Sequence, residues 1–96
     1  MKVEGATTVI FKSESSVFER EKSYKKKATL RYLTRSEVAI VSSVQFIRFE
    51  CNGEQSDRFE ITDIFDVNLT IKRLSGLFNA DRWYLISYGP VGCNHD

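Results

Sequence analysis

The sequence predicts an α+β domain, mostly β: a small antiparallel sheet or roll of four to five strands with one short helix at about 35–44, with residues 1–96 forming a single domain. Three observations carry this expectation. From Phe59 to Ile71 the odd positions are Phe59, Ile61, Asp63, Phe65, Val67, Leu69 and Ile71, while most even positions are polar. Successive side chains of a strand point to opposite faces, so this period of two builds one apolar face that something must cover. Second, Asn52-Gly53 and the polar loop Glu54 to Asp57 separate this stretch from another alternating run; Asn-Gly supports positive φ angles, and a loop of this length joins neighbouring antiparallel strands. Third, Thr34-Arg35-Ser36-Glu37 has capping-box spacing, in which the threonine oxygen and the glutamate carboxylate each satisfy an amide at a helix start.

Taken in order, Thr7 to Phe11 is a short β-branched run and reads as the first strand, ended by the polar stretch Lys12 to Ser16. Val17 to Lys27 has no clean period. A helix capped by Ser15 or Ser16 would place only Val17, Glu21, Tyr24 and Ala28 near one stripe, so a charged hairpin or loop arm is expected. Lys27 to Leu33 alternates as a second strand. The capping box then starts the helix, with Ile40, Val41 and Val44 facing inward against the weak helix preference of their β-branched neighbours. Gln45 to Cys51 is the third strand, paired across the Asn52-Gly53 loop with Phe59 onward. Ile47, Phe49 and Cys51 then share a face with Phe59, Ile61 and Phe65. Arg82 to Tyr88 forms the last strand, closed by Gly89-Pro90.

An apolar fraction of 42% and a charged fraction of 28% are those of an ordinary globular domain, which is expected to fold without a cofactor. No apolar run approaches the ~20 residues of a membrane span, and Met1 to Gly5 lacks the apolar core of a signal peptide. No membrane partner and a cytoplasmic location are therefore expected. Cys51 and Cys93 fit that compartment as free thiols, although a single bridge between them is also compatible with the sequence.

The net charge of +1 conceals a gradient along the chain. Residues 1–35 carry nine Lys or Arg against four Glu, whereas residues 36–96 carry five against nine Asp or Glu. The excess is concentrated in Arg20, Lys22, Lys25, Lys26, Lys27, Arg31 and Arg35, with Glu21 the one acid between Arg20 and Arg35. Such a segment attracts phosphate backbones, anionic membranes or an acidic protein surface, or packs as a solvated face beside the chain's own acidic half.

The residue types for catalysis are sparse. His95 is the one histidine and lies next to the last residue, which disfavours a Ser-His-Asp or Cys-His site. Cys51, Cys93, His95 and Asp96 lack the paired spacing of a structural zinc site, so no metal is expected. Neither a P-loop nor a G-x-G-x-x-G motif is present. Asp63, a carboxylate on the apolar side of the central stretch, is a candidate ligand-binding residue. It fits better as the mark of a bulge or strand break, since thirteen residues is long for a strand in so small a domain.

These features favour a small non-enzymatic binding domain, a regulator, inhibitor or adaptor, whose basic segment docks on an acidic protein surface. The alternative is a nucleic-acid-binding module in which Tyr24 and Tyr32, interleaved with the cations, offer stacking platforms, extended by Trp83, Tyr84 and Tyr88. An exposed edge strand would also be compatible with a homodimer.

Overall fold

The computed structural model describes residues 1–67 and 83–92. Among these described residues seven strands and two helices follow one another as β1 (Lys2–Glu4), β2 (Thr8–Lys12), α1 (Ser15–Lys22), β3 (Ala28–Tyr32), α2 (Arg35–Ser43), β4 (Phe46–Cys51), β5 (Glu54–Gln55), β6 (Phe59–Asp66) and β7 (Trp83–Pro90). The sheet order is β1-β2-β4-β6-β7-β3, with β5 hydrogen-bonded to β4 beside this path. The α+β class, mostly β, is as the sequence implies. The strand number, the wholly antiparallel arrangement and the single helix require correction.

The sheet is mixed because β2 and β4 run parallel, with Val9 opposite Ile47 and Phe11 opposite Phe49. Parallel neighbours need a long crossover, and the stretch 13–45, containing both helices and β3, supplies it. The two unforeseen strands are short and polar. β1 folds back on β2 through Gly5 and Ala6, both at positive φ, and β5 folds back on β4 through Asn52 and Gly53, at φ 50° and 83°. The Asn-Gly turn thus makes a tighter hairpin than expected. Beyond it, Ser56 takes the place of a strand partner: its amide donates to the Phe49 carbonyl at 2.8 Å and its hydroxyl accepts from the Phe49 amide at 3.0 Å. The chain then enters β6, which pairs with the start of β4 through Ile47 and Phe59.

α2 begins where its capping box places it. Thr34 Oγ1 accepts from the Glu37 amide at 3.2 Å and Glu37 Oε1 accepts from the Thr34 amide at 2.8 Å. That amide holds the Glu37 carboxyl below its ordinary range. Val41 is buried, with Val38 and Val44 packed beside it.

Residues 17–22, expected as part of a hairpin or loop arm, join Ser15 and Ser16 to form α1 instead. Its inward face consists of Phe18 and Glu21, three residues apart and both buried. A pattern that counts carboxylates as outward-facing misses a helix whose second inward residue is one.

β6 is shorter than the alternation suggests, and positions 68–71 of that stretch lie outside the described residues. Its phase also changes. Ile61 pairs with Tyr88 but Asp63 pairs with Ser87, so Thr62 is an extra residue in the ladder, a β-bulge. Before it, Phe59 and Ile61 turn inward; after it, Ile64 does. Phe65, expected in the core, is 46% exposed. β7 starts at Trp83 and continues through Gly89 to Pro90, where the proline occupies a strand end.

Among the described residues the core is one cluster. Val9, Phe11, Ile47, Phe49, Phe59, Ile86 and Tyr88 from one face of the sheet meet Phe18 of α1, Val41 of α2 and Leu33. The Tyr88 ring lies 5.1 Å from Phe49 and 5.2 Å from Phe59 between centroids, and Tyr24 stacks on Phe59 at 5.8 Å. The sheet curls strongly: Arg31 of β3, at one end of the strand order, lies 4.9 Å from the Phe11 ring of β2 and donates to the Lys12 carbonyl at 2.7 Å. The result is an open roll whose seam lies between β3 and the β2–α1 corner. Among the described residues no helix is long and apolar enough to cross a membrane.

Candidate functional site

The seven cations of the basic segment do not form one surface. Arg31 points into the seam. Its Nε donates to Thr29 Oγ1 at 2.9 Å, one terminal nitrogen donates to the Lys12 carbonyl, and the other donates to Ser13 Oγ at 2.9 Å and to Glu21 Oε2 at 3.2 Å. Desolvation pulls the guanidinium below its ordinary pKa, while the Glu21 carboxylate pushes the other way. Glu21 is 0% exposed and also accepts from Thr29 Oγ1. This buried pair was not foreseen; the one signal in the sequence was that Glu21 stands alone among cations.

Lys22 is committed to Glu54 at 2.6 Å and Glu19 at 3.4 Å, and the Lys26 ammonium lies 4.0 Å from Glu21. Arg20, Lys25, Lys27 and Arg35 are exposed and form no ion pair among the described residues. Arg35 stands apart, because β3 carries the chain roughly 16 Å between Lys27 and α2. Arg20, Lys25, Lys26 and Lys27 therefore remain as a local cationic tip at the end of α1.

The backbone of this tip is fixed. Ser23 donates to the Glu19 carbonyl, Tyr24 to Glu21, and Lys26 to Arg20, while Lys27 accepts from the Tyr88 amide. Tyr24 sits at φ 60°, a left-handed conformation costing a non-glycine residue about 1 kcal/mol. Its ring packing on Phe59 and Tyr88 offsets that cost, and its hydroxyl donates to the Tyr88 carbonyl at 3.2 Å. The Tyr88 hydroxyl in turn donates to the Lys26 carbonyl. Two tyrosines thus clasp the lysine loop to the sheet, and Lys27 lies 5.4 Å over the Tyr24 ring.

Burial, with the Glu21 carboxylate adding to it, raises the Tyr88 hydroxyl well above the ordinary tyrosine value. The unfolded chain releases this proton near pH 10 and the folded chain only at higher pH, so the stabilisation is complete below pH 10 and is lost as pH rises toward the folded value. Tyr88→Phe is expected to cost about 1 kcal/mol at neutral pH, from the lost hydrogen bond, and to remove this alkaline decline. Urea midpoints of both proteins between pH 8 and 11 should converge at the upper end.

Asp63 follows the bulge and is exposed on the face opposite the helices. It lines neither of two grooves on the described surface. One groove, about 380 Å³, lies between Lys2, Lys12 and Cys51; the other, about 330 Å³, lies along the seam beside β3. The Cys51 thiol is free, and Cys93, His95 and Asp96 lie outside the described residues.

The chain matches no family model, no curated protein and no solved structure. The aromatics weighed as stacking platforms are dispersed. Tyr24 and Tyr88 face the core, while Tyr32 and Trp83 meet edge to face at 5.4 Å on the opposite sheet face, toward the far end of β3 from the lysines.

Proposed function

We propose that this protein is a non-enzymatic binding domain, a regulator, inhibitor or adaptor, that docks on an acidic protein surface through Arg20, Lys25, Lys26 and Lys27. The observation that carries the reading is the clasped loop: exposed cations without ion pairs among the described residues, Lys25 and Lys27, on a backbone fixed by hydrogen bonds and by Tyr24 and Tyr88. Preordering removes part of the entropic cost of binding, and complementary charge speeds encounter. Single-strand nucleic-acid sites pair such cations with open aromatic faces, and at this tip the tyrosine rings are turned toward the core.

The test is titration of the protein with poly-glutamate and with mixed-sequence single-stranded DNA and RNA, in wild type and in a Lys25→Glu/Lys27→Glu variant. Poly-glutamate is expected to bind at moderate salt, and the variant to bind it at least about tenfold more weakly with an unchanged thermal transition. No binding to poly-glutamate, or equal binding by the variant, overturns the reading. Tighter binding of nucleic acid, with a steep salt dependence, replaces it with a nucleic-acid module.

A further inference from the structure

Resting on the docking reading, we infer that the partner enters as an extended acidic peptide added as a strand to the free edge of β3. Among the described residues β3 is a terminal strand in the sheet order, with β7 as its one strand neighbour. The Tyr88 amide donates to the Lys27 carbonyl, and hydrogen-bonded pairs alternate along an antiparallel ladder. Residues 27, 29 and 31 therefore spend their backbone groups on β7, and those of Ala28, Leu30 and Tyr32 point outward. No backbone partner among the described residues takes up these outward groups.

Exposed edges are normally blunted by a proline, a bulge or an outward charge. Ala28–Tyr32 has no proline and no register shift, and its charged residue, Arg31, is turned into the seam. Leu30 and Tyr32 are instead 49% and 50% exposed. On the sheet face away from the helices, Leu30 continues a row through Leu85 to Phe65 that an incoming strand would lengthen.

The edge also has a groove beside it, bridged by the Arg31 side chain to Lys12 and Ser13, and a matching charge. The seam groove of about 330 Å³ has Thr29, Leu30 and Arg31 on one wall and Lys12, Ser13 and Val17 on the other; Glu14 is the one carboxylate in its lining. No Asp or Glu occurs from Lys22 to Ser36, which includes β3 and both its flanks. Lys25, Lys26 and Lys27 stand at one end of the edge and Arg35 at the other. The fitting segment alternates apolar residues, lying beside Leu30 and Tyr32, with carboxylates facing the groove, as in strand addition to a sheet edge.

The probe is a seven-residue peptide alternating glutamate and valine, with two analogues N-methylated at its valines or at its glutamates. Methylation keeps charge and apolar surface but removes the amide donors on one side of the peptide strand. With the full chain, the unmodified peptide is expected to bind and to slow amide exchange at Ala28, Leu30 and Tyr32. One analogue should bind at least about tenfold more weakly, its identity reporting parallel or antiparallel pairing. Equal binding by all three peptides, or binding without protection at these amides, overturns strand addition and leaves the docking reading intact. Failure of the peptide where poly-glutamate binds does the same; failure of both removes the docking reading as well. Protection of these amides in the protein alone, with dimers in sedimentation, also overturns the inference by making a second copy the occupant.

Discussion

Replacing Arg31 with leucine is expected to destabilise the fold by about 3–5 kcal/mol, even though the new side chain suits an apolar environment. Glu21 explains the size of the effect. Its carboxylate is fully buried, and Oε1 has no hydrogen-bond partner among the described residues, so Oε2 and its contacts with Arg31 and Thr29 sustain the charge. Without the guanidinium that buried charge keeps only the more distant Lys26 ammonium, 4.0 Å away, as a cationic neighbour among the described residues. Arg31 also bridges β3 to Lys12 and Ser13 and lies over the Phe11 and Phe49 rings, so the seam loses its fastening too. Urea unfolding at neutral pH measures the loss. A Glu21→Gln/Arg31→Leu double variant should recover part of it, because an amide is cheaper to bury than an unpaired carboxylate. A single variant within 1 kcal/mol of wild type would show that the pair is not a support of the fold.

Phe49→Ala is expected to cost a similar amount, about 3–5 kcal/mol, by a different route. Phe49 is 0% exposed and sits where β4 meets the aromatic cluster, with the Tyr88 and Phe59 rings at 5.1 and 6.3 Å. Alanine leaves a cavity between side chains pinned by a curled sheet. The guanidinium of Arg31, 5.8 Å above the ring, loses part of its seat as well, so Phe49→Ala and Arg31→Leu should not add. Thermal unfolding of the two single variants and the double variant checks this. For a domain of this size, a loss of several kcal/mol approaches the whole stability.

Local signals made some elements readable from sequence alone. The capping box fixed the start of α2 because both reciprocal bonds lie within four residues, Thr34 to Glu37. Asn52-Gly53 fixed a turn because it needs only two positive φ angles. What escaped depended on distant parts of the chain. α1 is held by Phe18 and by a glutamate whose burial makes sense only once Arg31 arrives from β3. The parallel pairing of β2 with β4 leaves no mark in either strand, because an inward-facing Val9 or Phe11 looks the same beside any neighbour. At the candidate site, charge alone grouped seven cations. Three-dimensional placement gave Arg31 to the interior and Lys22 to carboxylate partners, carried Arg35 to the far end of β3, and kept Lys25 to Lys27 together.

Thr62, the supernumerary residue of β6, decides which of two adjacent side chains meets water. Ile64 is tucked away and Phe65 is left outside because the count between Ile61 and Asp63 is one too many for a regular ladder. The lipophilic character of the outer surface near Leu85 is therefore set by arithmetic along the backbone more than by composition. An insertion or deletion at that point would rewrite this surface while leaving every neighbouring letter unchanged.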